Sequence, residues 1–125
     1  MVSTAPILIT GGAGFIGANF VYHIANTYPE RRIVVLDALT HAGNRDTIAP
    51  LEATKNLRFV QGDIGDRTLI EQLLREENIA TVAHFAAESH VDRSILGPAA
   101  FVQTNVVGTF TLLESFRQYW QESEQ

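Results

Sequence analysis

The sequence has no cysteine and a single lysine, Lys55, and its nine Lys and Arg residues stand against fourteen Asp and Glu, a formal net charge of −5. Without cysteine there is neither a disulfide nor a thiolate metal site, and no metal site is expected. So few cations make no basic stripe along which a phosphate backbone could lie, which excludes nucleic acid as an expected partner. No apolar run approaches the ~20 residues of a membrane span, so no membrane association is expected. Repeats and low-complexity stretches are missing too. The apolar stretch near residues 5–9 is too short for the h-region of a leader and has no basic segment before it; a cytoplasmic location is the expectation. What remains is a chain of 125 residues, 46% hydrophobic, enough for one domain with a core.

What the chain does have begins with Ile7-Leu8-Ile9-Thr10-Gly11-Gly12-Ala13-Gly14-Phe15-Ile16-Gly17, an apolar strand running into a glycine-rich turn that opens a helix. A parallel strand that ends, turns sharply and restarts as a helix aims the helix N–H groups at an anion, and glycine lets the backbone approach a pyrophosphate closely. Because Gly11 and Gly12 are adjacent, the run satisfies both G-x-x-G-x-x-G and G-x-G-x-x-G, and spacing alone leaves the subclass of fold open. A second strand, Ile33-Val34-Val35-Leu36, ends in Asp37, 20 residues after Gly17, where a ribose-binding carboxylate is expected. Together they predict dinucleotide binding. The plainer alternative is an ordinary strand-to-helix turn with Asp37 as a solvated strand end.

Ile16, Phe20, Ile24 and Thr27 recur at helical spacing and predict one helix face toward the sheet until Tyr28-Pro29 stops it. From Ala38 to Asn56 the periodicity fails, and Gly43-Asn44 and Pro50 punctuate a long connection with room for a short helix. Leu57 to Val60 reads as a third strand. Asp66 then caps a helix with Leu69, Ile70, Leu73 and Leu74 as its buried stripe. Ala80 to Phe85 is a fourth strand, and Gly97-Pro98 starts a helix carrying Phe101, Val102, Asn105, Val106, Phe110, Leu113, Phe116 and Trp120. Alternating strands and helices predict an α/β fold: a Rossmann-type doubly wound parallel sheet, incomplete, of about four strands in the order 3-2-1-4 with flanking helices. Strand 4, interior in a full sheet, is then an edge that needs a cover.

Three further segments narrow the reading: Asp63-Ile64 after strand 3, Phe85-Ala86-Ala87 after strand 4, and Glu88-Ser89-His90-Val91-Asp92-Arg93-Ser94 directly following. With Thr104-Asn105-Val106-Val107-Gly108-Thr109 and Leu39-Thr40-His41-Ala42-Gly43-Asn44, the chain resembles over nearly its whole length the N-terminal half of the dTDP-glucose 4,6-dehydratases, NAD-dependent extended short-chain dehydrogenases/reductases. The resemblance implies NAD as cofactor. Gly11, Gly14, Gly17 and the following Phe15 and Ile16 would lie under its pyrophosphate. Asp37 would take the adenosine ribose, with Ala38, Leu39 and Thr40 lining that side; a carboxylate there repels a 2′-phosphate and favours NAD over NADP. Family likeness puts Asp63 on the adenine amino group and the Ile64 amide on a ring nitrogen. Phe85, Ala86, Ala87, Glu88, Ser89 and Thr104 would border the cofactor's ribose and nicotinamide side, with Ser89 also facing the sugar of the substrate. The sequence departs from the family loop at Ala38, where lysine is common, and at His41, where tyrosine is usual.

Several residues have structural readings. His84, on a buried strand, reads as a hydrogen-bonded core residue rather than an acid or base. Asp92 and Arg93 read as a local ion pair, and Asn105 as a tie from the last helix to a strand backbone. Trp120 and the Phe and Leu stripe are core or interface, since in the family this helix helps build a dimer contact.

The implied chemistry oxidises the sugar at C4 with NAD, eliminates water across C5 and C6, and returns hydride to C6. Its base is a Tyr-x-x-x-Lys pair in which the Lys cation lowers the tyrosine pKa. Four residues before Lys55 stands Leu51, and four residues after Tyr22, Tyr28 and Tyr119 stand Asn26, Arg32 and Ser123. No such pair exists in these 125 residues. No catalytic residue is therefore assigned, and the chain alone is expected to be inactive: residues 1–125 are the N-terminal part of an NAD-binding domain without the substrate-binding part, as a fragment, a shortened reading frame or part of a split enzyme. The expected partners are the nucleotide sugar dTDP-glucose in the full-length family, and a second copy through the last helix or a complementary C-terminal chain. The alternatives are a fragment of a nucleotide-sugar 4-epimerase, against which Glu88 to Arg93 argues, or a non-catalytic module binding NAD or a partner.

Overall fold

The computed structural model describes residues 5–39, 44–54, 56–87 and 98–123. Its four strands, β1 (Ile7–Thr10), β2 (Ile33–Asp37), β3 (Leu57–Gln61) and β4 (Thr81–His84), pair in parallel in the order β3-β2-β1-β4. Ile7 lies between Ile33 and Thr81, and Ile33 between Ile7 and Leu57. β1 and β2 are buried along their whole length, as near-continuous apolar runs in a parallel sheet must be.

The period-2 alternation of strand side chains divides the core in two. Ile7, Ile9, Ile33 and Val35 point to one face, under α1 (Phe15–Thr27), where they meet Val21 and Ile24. Leu8, Val34 and Leu36 point to the other and meet Ile70, Leu73 and Leu74 of α3 (Arg67–Glu76). As the sequence predicts, Asp66 caps α3, its carboxylate accepting from the Leu69 amide at 3.1 Å.

The face of α1 differs from the expected stripe. Gly17, Ala18, Val21 and Ile24 are buried, whereas Ile16 and Thr27 are exposed. Ile16 belongs to the first turn, which projects past the end of the sheet. Small residues, Gly17 and Ala18, set how closely the helix lies on it. The long connection holds a 3-10 turn, Arg45–Thr47, and α2 (Ala49–Glu52), with Pro50 in its first turn. Ile48 between them is fully buried in the α1-side core, and the Tyr22 hydroxyl donates to the Thr47 carbonyl at 2.8 Å.

The last helical segment departs further from expectation. It consists of α4 (Pro98–Phe101), a π-helical stretch, Val102–Gly108, and α5 (Thr109–Ser123). Leu112, Ser115 and Tyr119 are buried against α3 and the sheet, with Phe116 packed beside them. The Tyr119 hydroxyl donates to the Ile79 carbonyl at 2.7 Å. Of the predicted stripe, which the sequence left as core or interface, Phe116 packs on the core and Phe101 is half-buried, whereas Val102, Val106, Phe110, Leu113 and Trp120 are exposed, Leu113 by 65% and Trp120 by 56%. A π-helix takes more residues per turn than an α-helix, so a 3.6-residue period carried through 102–108 loses register. Within α5, moreover, two adjacent faces are apolar, and the buried one is disguised by a serine and a tyrosine.

Candidate functional site: the turn between β1 and α1

The strand order reverses between β1 and β4, and in such a sheet a ligand crevice lies outside the C-terminal ends of these two strands. Gly11 leaves β1 with φ +70°, its amide donating to the Leu36 carbonyl at 2.8 Å. A Cβ on Gly11 would stand 2.6 Å from the Ala86 nitrogen, so the turn and the exit of β4 touch backbone to backbone. A Cβ on Gly17 would stand 2.0 Å from the Gly11 carbonyl oxygen. These contacts bring the start of α1 directly over the end of β1. Gly14 precedes α1 in extended conformation and no side chain caps the helix. Phe15 and Ile16, 83% and 66% exposed, leave that end open.

Asp37 closes the other side. Its Oδ2 accepts from the Ala13 amide at 2.9 Å, within the glycine turn, and its Oδ1 accepts from the Leu39 amide at 2.8 Å. The carboxylate is nearly buried, yet two acceptors leave unused lone pairs on each oxygen for a further donor. Leu39 has φ +57°, a left-handed conformation costly for a leucine, and its bond to Asp37 helps hold it there. Ala38 between them is half-buried. Ala13 was not singled out by glycine spacing, because its contribution is an amide rather than a side chain.

Asp63 is exposed and its Oδ1 accepts from the Gly65 amide at 2.7 Å, shaping the turn into α3. The Ile64 side chain is buried in the α3-side core. Phe85 turns its ring toward α1, its centroid 5.2 Å from that of Phe20, so the backbone of 85–87 is what borders the crevice. Thr104, half-buried, lies in the π-helical stretch. Thr40, Glu88 and Ser89 lie outside the described residues, as do His41, Lys55, Asp92 and Arg93. A groove of about 390 Å³ between α1 and the Asn44–Thr47 segment continues from Gly14 and Phe15 along Ala18 and Asn19. Among the described residues no cluster of His, Asp or Glu is arranged to hold a metal ion.

His84 is hydrogen-bonded as expected but is not a core residue. β4 is an edge of the sheet and the residue is exposed, while its Nδ1 lies 2.6 Å from Thr10 Oγ1 and its Nε2 3.1 Å from Thr109 Oγ1. Partial burial of the ring lowers its pKa. Asn105, expected to be a buried tie, is exposed.

The family model for GDP-mannose 4,6 dehydratase matches residues 8–125. The chain belongs to the GDP-mannose 4,6 dehydratase family. Relatives in this family include the dTDP-glucose 4,6-dehydratase of Xanthomonas campestris pv. campestris, 58% identical over 116 residues, which are 93% of this chain and 32% of the relative. The chain thus spans about a third of the length of the curated relatives it matches. The crystal structure of a dTDP-glucose 4,6-dehydratase from Streptomyces venezuelae with NAD bound is similar at a TM-score of 0.80 and 52% identity, over 88% of this chain and 35% of that one. A UDP-glucose 4-epimerase from Brucella ovis in complex with NAD matches at a TM-score of 0.78 and 31% identity, over 92% of this chain and 33% of that one. Proteins of both activities therefore share this part of the fold.

Proposed function

We propose that this chain is the NAD-binding N-terminal portion of a dTDP-glucose 4,6-dehydratase, with residues 1–125 forming the first part of its NAD-binding domain. One observation carries the reading: the Asp37 carboxylate reaches into the glycine turn through the Ala13 amide, so ribose acceptor and pyrophosphate cradle form one hydrogen-bonded unit. The residues fit the dinucleotide. The turn has no room for a Cβ at Gly11 or Gly17, and the first amides of α1 have no side-chain cap, which suits an anion. Gly11, Gly14, Phe15, Ile16 and Gly17 would lie under the pyrophosphate. Asp37, Ala38, Leu39 and Thr40 would hold the adenosine ribose, and Asp63 and Ile64 the adenine. Phe85, Ala86, Ala87, Glu88, Ser89 and Thr104 would border the nicotinamide side, with Ser89 also toward the sugar. NAD, when bound, supplies the hydride acceptor; the residues of this chain bind and orient it.

Among the solved structures, the identity of 52% to the Streptomyces venezuelae dehydratase against 31% to the Brucella ovis epimerase supports the dehydratase over the 4-epimerase reading. The activity of the whole enzyme, dTDP-glucose to the 4-keto-6-deoxy sugar and water, needs a Tyr-x-x-x-Lys base that these 125 residues do not contain. With one half of the crevice present the chain by itself is expected to bind NAD weakly, and without the base it is expected not to turn over. Calorimetric titration is expected to show NAD binding at millimolar concentration or better, with NADP weaker. No binding at millimolar NAD overturns the cofactor assignment, and 4-keto-6-deoxy product formed by this chain alone overturns the inactivity. The exposed apolar face of α5 supports a dimer through the last helix or a complementary C-terminal chain. A cytoplasmic location goes with the diffusible nucleotide ligands.

A further inference from the structure

The Thr10 hydroxyl sits where β1, β4 and the glycine turn meet, and its hydrogen bonds can be counted. The Phe85 and Ala86 amides both point at Thr10 Oγ1, at 3.1 and 3.3 Å; the Phe85 amide is shared with the Thr10 carbonyl at 2.9 Å. A hydroxyl has two acceptor lone pairs and one proton. With both lone pairs met by backbone N–H groups, the proton has one direction left, toward His84 Nδ1 at 2.6 Å. Nδ1 then accepts, the ring proton resides on Nε2, and it is donated to Thr109 Oγ1 at 3.1 Å. An imidazolium would aim a third donor at an oxygen with two lone pairs. Partial burial of the ring also favours its neutral form.

We propose that His84 is a positioning residue: by accepting the Thr10 proton at Nδ1 it turns Thr10 Oγ1 into a double acceptor that clamps the Phe85-Ala86 backbone against the Gly11 turn, and through Nε2 it ties that clamp to the start of α5. The clamp matters because Gly11 and Ala86 are in backbone contact, so a shift of the β4 exit by a few tenths of an ångström moves one wall of the crevice. The consequence for NAD rests on the reading given under Proposed function; the clamp itself does not.

Two-bond proton–nitrogen correlation spectra of the 125-residue chain read the ring directly. His84 is expected to show a protonated Nε2 and an Nδ1 displaced from the free pyridine-type position by its hydrogen bond, returning to that position in Thr10→Val. A protonated Nδ1, or an Nδ1 unaffected by Thr10→Val, overturns the proposal. Amide exchange reads the effect on the backbone. His84→Leu is expected to speed exchange at Phe85 and Ala86 about tenfold, a single hydrogen bond's worth, whereas His84→Asn, whose carbonyl reaches the Nδ1 position, keeps it near that of the unsubstituted chain. Equal loss in both makes the ring a packing group and overturns the positioning role. If His84→Leu does not fold, the ring spectra of the unsubstituted chain and of Thr10→Val decide. NAD affinity is expected to fall about tenfold in Thr10→Val and to be restored by Thr10→Ser. An unsubstituted chain that binds no NAD defeats the cofactor reading alone, since spectra and exchange are measured without it.

Discussion

At the scale of single residues, the site depends on backbone positions that tolerate no side chain and on one carboxylate. Gly17→Ala would set a methyl 2.0 Å from a carbonyl oxygen fixed at the end of β1, where neither backbone can give way without moving helix from strand. A loss of about 2 kcal/mol or more is expected, read as a lower denaturation midpoint together with lost NAD binding. Asp37→Ala is expected to act differently. It leaves the Ala13 and Leu39 amides without their partner and releases a left-handed leucine, so NAD binding should vanish in calorimetry while most of the fold survives. Both residues were legible in the sequence, Gly17 from the glycine spacing and Asp37 from its position at the end of a second apolar strand. Ala13 and Thr10 were not. Their contributions are an amide and a hydroxyl whose partners stand 24 and 74 residues away, and sequence periodicity carries no sign of such pairs.

Among the elements, α3 is the one whose sequence and structure agree most fully, because cap and stripe both favour the same helix. Asp66→Ala should cost about 1 kcal/mol, the usual worth of an N-cap, measurable by chemical denaturation. At its other end Glu77 binds Arg32, which immediately precedes β2, at 2.9 Å and Arg58 from β3 at 2.9 Å. The Arg32 guanidinium, with Arg58 beside it, holds the Glu77 carboxyl below its ordinary value of 4.5. An unfolded chain binds that proton more readily as the pH falls, so this stability is fully present above the ordinary value and is lost as the pH drops through the lowered one. Denaturation midpoints measured down from pH 6 are expected to fall with acid, less steeply in Glu77→Gln. The last helix is the element whose face could not be read from periodicity. Its π-helical stretch breaks the period, and two apolar faces compete for the core. Only packing against α3, fastened by Tyr119 and by Arg75 with Glu122, decides between them.

For the molecule as a whole, that decision leaves Val106, Phe110, Leu113 and Trp120 on the outside and β4 at an edge. A single exposed leucine is unremarkable, but a row of large apolar side chains along one helix is where the proposed association would take place. The chain is expected to elute larger than its 13.8 kDa in size-exclusion chromatography, and Leu113→Glu to return it toward the monomer. A monomer at all concentrations overturns the dimer reading.

The sequence by itself determined the strand order, the glycine turn with Asp37, and the α3 cap and stripe, because each follows from local periodicity, backbone sterics or the handedness of parallel crossovers. Tertiary structure alone decided which face of the last helix is buried, that Ile16 is exposed at the helix start, and which distant groups Thr10, Ala13 and His84 bond. Those outcomes depend on which distant groups compete for the same contact. Hydrogen-bond directions and core space settle that competition only once the strands lie side by side.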